Sequence, residues 1–257
     1  MAKKSMYEEL MNKHNIVSIM GGSDLAIDPV TGDLKMGKRG DLMWQGKAHN
    51  SMFQFVRDYE MKAPRLKAQF AEILESHIKE AGLVDALNKH AEETAKSWMQ
   101  NQPHHSDGEE MHALSDSRGA TCVGREVCAA SIFVTFNTML QALKDELEVD
   151  NQKFLQSGPL YTAQSFGNVV WAASNNARHA DEWRVEWVAN GAFNNQQLKS
   201  IRVLAPVLGY EEKDYKHLAG EICARILEIV SGGDFDILER GLFTFANNLA
   251  AGVENNK

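Results

Sequence analysis

The stretch VCAASIFVTFNTMLQAL, residues 127–143, decides what kind of chain this is. Its longest apolar run, VCAASIFV, covers eight residues and has polar flanks. A helix that crosses a bilayer needs about 20 predominantly apolar residues. The stretch therefore reads as the buried part of one long helix over about residues 123–147, with no membrane association expected.

Working outward, the flanking segments repeat the helical pattern. On the C-terminal side, QSGP (residues 156–159) breaks the chain, and a helix follows over about residues 161–189. Asn194 and Asn195 can cap a further helix ending near Gly209. Over residues 211–230, Tyr215, Leu218, Ala219, Ile222, Ile226 and Val230 form one stripe. SGGD (residues 231–234) ends it and starts a last helix, with Phe235, Leu238, Leu242, Phe245 and Leu249 on its apolar side. On the N-terminal side, NQPHHSDGEEMHALSDSRGAT (residues 101–121) reads as a long polar loop. Before it, Pro64 suits the first position of a helix. Leu66, Phe70, Ile73, Leu74 and His77 then recur at steps of three and four, with His77 as a core histidine. Gly82 separates that helix from another over residues 83–99.

The first 46 residues differ. SDLAI (23–27), GDLKM (32–36) and GDLMW (40–44) recur at spacings of nine and eight, with apolar residues at alternate positions. Period two is that of a strand with one buried face, and DPVTG and GKRG between the repeats carry turn chemistry. NIVSIM (15–20) adds a possible further strand. The pattern predicts a small antiparallel β-meander over about residues 15–45, its apolar side covered by helices or a partner. It resembles the Gly-Asp-Leu meanders that open some phage baseplate proteins. The expected fold is mainly α: a multi-helix bundle over residues 47–257 with a β appendage over residues 1–46.

Composition narrows the function classes. Of 257 residues, 44% are hydrophobic and 24% charged, which permits a sizeable core. A net charge of −8 gives no support for nucleic-acid binding. No signal-peptide pattern opens the chain, and Cys122, Cys128 and Cys223 form no CxxC. A cytoplasmic location is the expectation. SIMGGSD (18–24) lacks the lysine of a phosphate loop, and no nucleotide, kinase or nucleophile-elbow motif occurs. Cys122 and Cys128 read as buried small hydrophobes, although Arg118 and Arg125 near them could favour a thiolate.

The stretch SNNARHADEWRVEW (174–187) mixes polar groups with tryptophan on one helix. Trp171, Asn175, Arg178 and Glu182 share one stripe; Asn176, His179, Trp183 and Trp187 share its neighbour. One reading is an active centre, with His179 as acid or base, Arg178 holding an anion, and Asn175 and Glu182 beside them. The other is a polar network between helices, or a partner-facing surface centred on Trp171, Trp183 and Trp187. The Arg-to-His spacing that marks HEPN ribonucleases is absent from every arginine of the chain. His104, His105, Asp107 and His112 could ligate a divalent metal, or belong to a solvated loop; otherwise no cofactor is expected. Two functions follow. The first is association with a protein partner or with itself, most simply as a twofold homo-oligomer, in a regulatory or assembly role. The alternative is a small helical hydrolase or nuclease that uses Arg178, His179 and Glu182.

Overall fold

The computed structural model describes residues 6–16, 26–28, 30–37, 40, 42–43, 46–100, 108–220 and 222–254. Within them the chain is mainly helical. After α1 (Met6–Lys13), α2 runs unbroken over Lys47–Met99, 53 residues and so about 80 Å of helix. Pro64 and Gly82 lie inside α2 and do not bound it. An interior proline costs a helix about 3 kcal/mol and a glycine about 1. One continuous buried face outweighs the cost at Pro64; Gly82 is exposed and lies beyond that face. Met52, Phe55, Val56, Tyr59, Ala63, Leu66, Phe70 and Ile73 are all buried, so Pro64, itself exposed, sits on the far side of a fully packed helix.

The next helix, α3, spans Gly108–Leu147. The expected loop over 101–121 is thus helical from residue 108; residues 101–107 lie outside the described residues. Glu109 and Glu110 in its first turn favour this start, because carboxylates interact well with a helix N-terminus. α3 returns antiparallel along α2. Gln69 bonds Ser131 (2.8 Å) and Glu80 bonds Cys122 (3.2 Å), which fixes the register.

The C-terminal half of α3 is the central pillar. Ile132, Phe133, Phe136, Met139, Leu140, Leu143 and Leu147 are buried there. Around it pack α2, α5 (Phe166–Asn190), α7 (Cys223–Ser231) and α8 (Phe235–Glu254). Among the described residues α3 is the one helix long and apolar enough to cross a membrane, and half of its most apolar window is buried inside the fold. Between α3 and α5 lie α4 (Asn151–Gln156) and two short paired strands, β1 (Leu160–Tyr161) and β2 (Gln164–Ser165). Gly167 lets α5 press against its neighbours: a Cβ there would strike the Phe245 ring and come within 3.0 Å of the Phe154 carbonyl. α6 (Asn195–Val207) starts from the expected Asn194 cap, a capping box closed with Gln197, and covers α5. The single stripe expected over 211–230 divides into a 3-10 helix, Glu212–Leu218, and α7.

Among the described residues the N-terminal repeats do not form the expected meander; residues 17–25, 29, 38–39, 41 and 44–45 of that stretch lie outside them. The paired strands of the described residues lie at 160–165, and the repeats contribute only two isolated antiparallel bridges, Ile27–Leu34 and Met36–Leu42. Their hydrogen bonds close a ring instead. The N–H of Ala26 donates to Met43 O (2.8 Å), that of Met43 to Lys35 O (2.9 Å), and that of Lys35 to Ala26 O (2.8 Å). Each bond joins the fourth residues of two repeats. A flat meander would leave its first and third strands apart; here the bond from Ala26 to Met43 also joins the first and third repeats, and no continuous strand ladder forms among the described residues. Ile27, Leu34, Met36 and Leu42 are accordingly exposed, at 44–60%.

A buried carboxylate ties α1 to the bundle. Glu239 of α8 is 1% exposed and accepts from Lys13 Nζ (2.5 Å) and the Tyr59 hydroxyl (2.6 Å); His14 Nε2 lies 3.0 Å from it. The His14 ring also stacks on Phe243, with centroids 4.1 Å apart. Burial alone would raise the Glu239 pKa, but the bonds from His14, Lys13 and Tyr59 outweigh it and hold it at about 2. Because this lies below the ordinary value of 4.5, the stabilisation is complete above that pH and disappears as pH falls from there toward 2. The contribution is about 3 kcal/mol. Chemical denaturation should show stability falling over that window, with the Glu239→Gln protein less stable at neutral pH and lacking this part of the slope. Equal slopes for the two proteins would contradict the assignment.

Candidate functional site

Beyond Ile73 the α2–α3 pair becomes an arm with a different seam. Ser76, Glu80, Leu83, Leu87, His90, Thr94 and Ser97 of α2 follow steps of three and four, and each is only half-buried. Leu114, Ser117, Thr121, Gly124 and Cys128 answer them on α3. Three leucines among so many polar and small residues make a weak coiled-coil seam. Large apolar side chains lie outside it: Trp98 is 79% exposed, Met99 81% and Met111 46%.

An ionic layer divides the packed half of the hairpin from this arm. Glu80 Oε2 is 2.5 Å from Arg125 Nη1, and Glu80 Oε1 is 3.4 Å from Arg118 Nε. The Cys122 thiol donates to Glu80 Oε1 at 3.2 Å. That bond, with the two guanidiniums and against the opposing effect of burial, holds Glu80 below the usual carboxylate range. Burial and the bond to Glu80 push the Cys122 thiol up, outweighing Arg125 and Arg118, so the arginines do not make a thiolate there. Cys128 is buried and also shifted up, and Cys223 is buried.

At the foot of the arm α2, α3 and α7 enclose a groove of about 440 Å³. Phe70, Ile73, Leu74 and Leu227 form its apolar floor. His77, Glu80, Arg125, Arg225 and Glu228 supply charged or polar walls. His77 is exposed, not the expected core histidine, because it flanks the seam at the turn where close packing ends. Arg125 Nε is buried and has no hydrogen-bond partner among the described residues. Arg225 lies over the Tyr210 ring, 4.9 Å from its centroid. An apolar floor with polar walls suits the side chains of an amphipathic segment.

The 174–187 stretch lies on α5, away from the arm. Its first half ties α5 to its neighbours: Asn175 Nδ2 donates to Ser200 Oγ of α6 (3.2 Å), and Asn176 Nδ2 to Gly220 O in the bend before α7 (2.8 Å). His179 Nδ1 and Glu182 Oε2 are 3.1 Å apart, with side chains 47% and 71% exposed. Asn175, His179, Glu182 and Trp183 line one wall of a shallow cavity of about 310 Å³; Asn194, Gln196, Gln197 and Ser200 line the other. Arg178 is exposed, is not among the residues lining that cavity, and forms no ion pair among the described residues. Trp183 is buried against the edge of Phe193, Trp187 is half-buried against the same ring at 4.9 Å, and Trp171 is half-buried against the core. His104, His105 and Asp107 lie outside the described residues, and His112 is exposed on α3. No group of three or more His, Cys, Asp or Glu suited to a metal occurs among the described residues.

No protein family, curated sequence or solved structure matches this chain. Its geometry is therefore the ground for a functional reading. The groove and the exposed tip of the arm escaped the sequence reading. The signal that could have found them is the run of steps of three and four that continues from Tyr59 through Gly82 to Ser97.

The exposed His179–Glu182 pair should be weakly coupled. A double-mutant cycle is expected to give below about 0.5 kcal/mol. Trp183→Ala should cost about 3 kcal/mol through lost packing. A coupling above about 1.5 kcal/mol would show instead that the pair belongs to a sealed network.

Proposed function

We propose that this protein works by protein–protein association, in a regulatory or assembly role, and that the helical arm is its recognition element. One observation carries the reading: the distal arm holds a half-buried, largely polar seam while it exposes Trp98 and Met99 almost fully. A helix gains most of its stability from packing an apolar face. An arm that presents its largest apolar groups to water gains from a surface that covers them. The free cysteines agree with work in a reducing cytoplasm. The groove at the foot of the arm adds a second, partly apolar surface.

A small hydrolase or nuclease is the second reading. It is favoured by the placing of His179 and Glu182, with Asn175, on one cavity. The two readings separate by experiment. A photo-crosslinking residue at position 98 should form a covalent adduct with a partner in living cells, and one at the exposed position 202 on α6 should not. His179→Ala should leave that adduct intact. Absence of any adduct at position 98, or loss of the adduct in His179→Ala, would contradict association through the arm.

A further inference from the structure

We infer that the partner of the arm is a basic, amphipathic helical segment of another protein, lying along α2 from the groove to Trp98. The inference rests on the association reading and adds the chemistry of the occupant.

The path is set by one side of α2. Leu74, Ala81, Val84, Ala91, Ala95 and Trp98 recur at helical spacing beside the seam, and all are exposed or half-exposed. Leu74 lines the groove, so the stripe begins at a cavity and ends at an exposed tryptophan. The 24 residue steps from Leu74 to Trp98 span about 36 Å. Three of the six positions are alanine, which allows a second helix to approach at about 8 Å. A partner helix of roughly seven turns matches this length. Its large apolar side chains would meet the groove at one end and Trp98 at the other.

Charge selects the occupant. Residues 74–123 carry nine carboxylates against four cations, so this one-fifth of the chain holds an excess of five of the net eight negative charges. Arg118 pairs with Glu80 and Lys89 with Glu93, which leaves the excess of five unchanged. Asp85 and Glu92 border the stripe by their helical positions. The register fixed by Gln69–Ser131 and Glu80–Cys122 sets Glu109 and Glu110 abreast of Glu92 and Glu93, which concentrates acid near the tip. A second copy of this chain would bring two such arms together and double the repulsion. A cationic segment gains at Asp85, Glu92, Glu109 and Glu110, whereas Glu93 already has Lys89 beside it, and long-range attraction would speed its approach.

The test uses the full chain and two synthetic 24-residue helical peptides with the same leucine pattern, one with lysine and one with glutamate at every polar position. Binding is followed by fluorescence anisotropy of labelled peptide. The lysine peptide should bind at least tenfold more tightly than the glutamate peptide, and its affinity should fall as salt rises. Trp98→Ser and Ala91→Gln leave the charge unchanged, and each should weaken the lysine peptide at least fivefold. Equal binding by the parent and both variants would place the peptide elsewhere and overturn the inference. So would sedimentation showing that the chain doubles its mass through the arm. A crosslink at position 98 without any preference for the lysine peptide would sink the basic helix while leaving association standing. Absence of that crosslink would remove association itself.

Discussion

The antiparallel seam between α2 and α3 is the contact on which the rest of the structure depends. Its lower half, from Met52 to Ile73 on α2 and from Cys128 to Leu147 on α3, is buried and apolar. That half gives α5, α7 and α8 a common surface to pack against. Its upper half keeps the spacing of a coiled coil but loses the side chains that make one stable. The change falls at Glu80, where a carboxylate, two arginines and a thiol replace an apolar layer. A partly buried ionic layer contributes less to stability than packed hydrocarbon of the same volume, but it fixes register. The hairpin is thus a firm base carrying a weakly held arm, and the groove lies where the two meet.

The buried Glu239 performs a different task with similar chemistry. α1 is eight residues long and could not hold a helical form alone. Lys13 and His14 at its end reach a carboxylate that Tyr59 also satisfies, so one buried charge joins α1, α2 and α8. Removing any donor leaves that charge undercompensated in the core, which is why the node is sensitive to both mutation and acid.

Much of the helical bundle was legible in the sequence. The apolar stripe of residues 235–249, the Asn194 cap and the break at residues 156–159 all follow from period and capping chemistry. Proline misled the reading of α2, because its local cost is small beside a long buried face that only tertiary packing supplies; Gly82, beyond that face, carries a local cost of only about 1 kcal/mol. The polar composition of residues 108–121 read as loop for the same reason: its seam partners lie some 30 residues away in sequence, and a half-buried seam tolerates serine and threonine. The repeat of residues 23–44 was visible, but period two cannot tell a sheet from a closed ring; the bond from Ala26 to Met43 decides that. At the 174–187 stretch Asn175 bonds α6 and Asn176 the bend before α7, whereas the outward side of the same helix carries Arg178 into solvent.

Hydrogen exchange of the isolated chain tests most directly the claim that the arm is incomplete without a partner. Amides of residues 83–99 and 108–120 should exchange through local openings at least a hundredfold faster than those of residues 52–73 and 128–147, a gap of about 3 kcal/mol in opening free energy. Protection in the arm equal to that of the base would contradict the account, since it would mean that the half-buried seam already suffices.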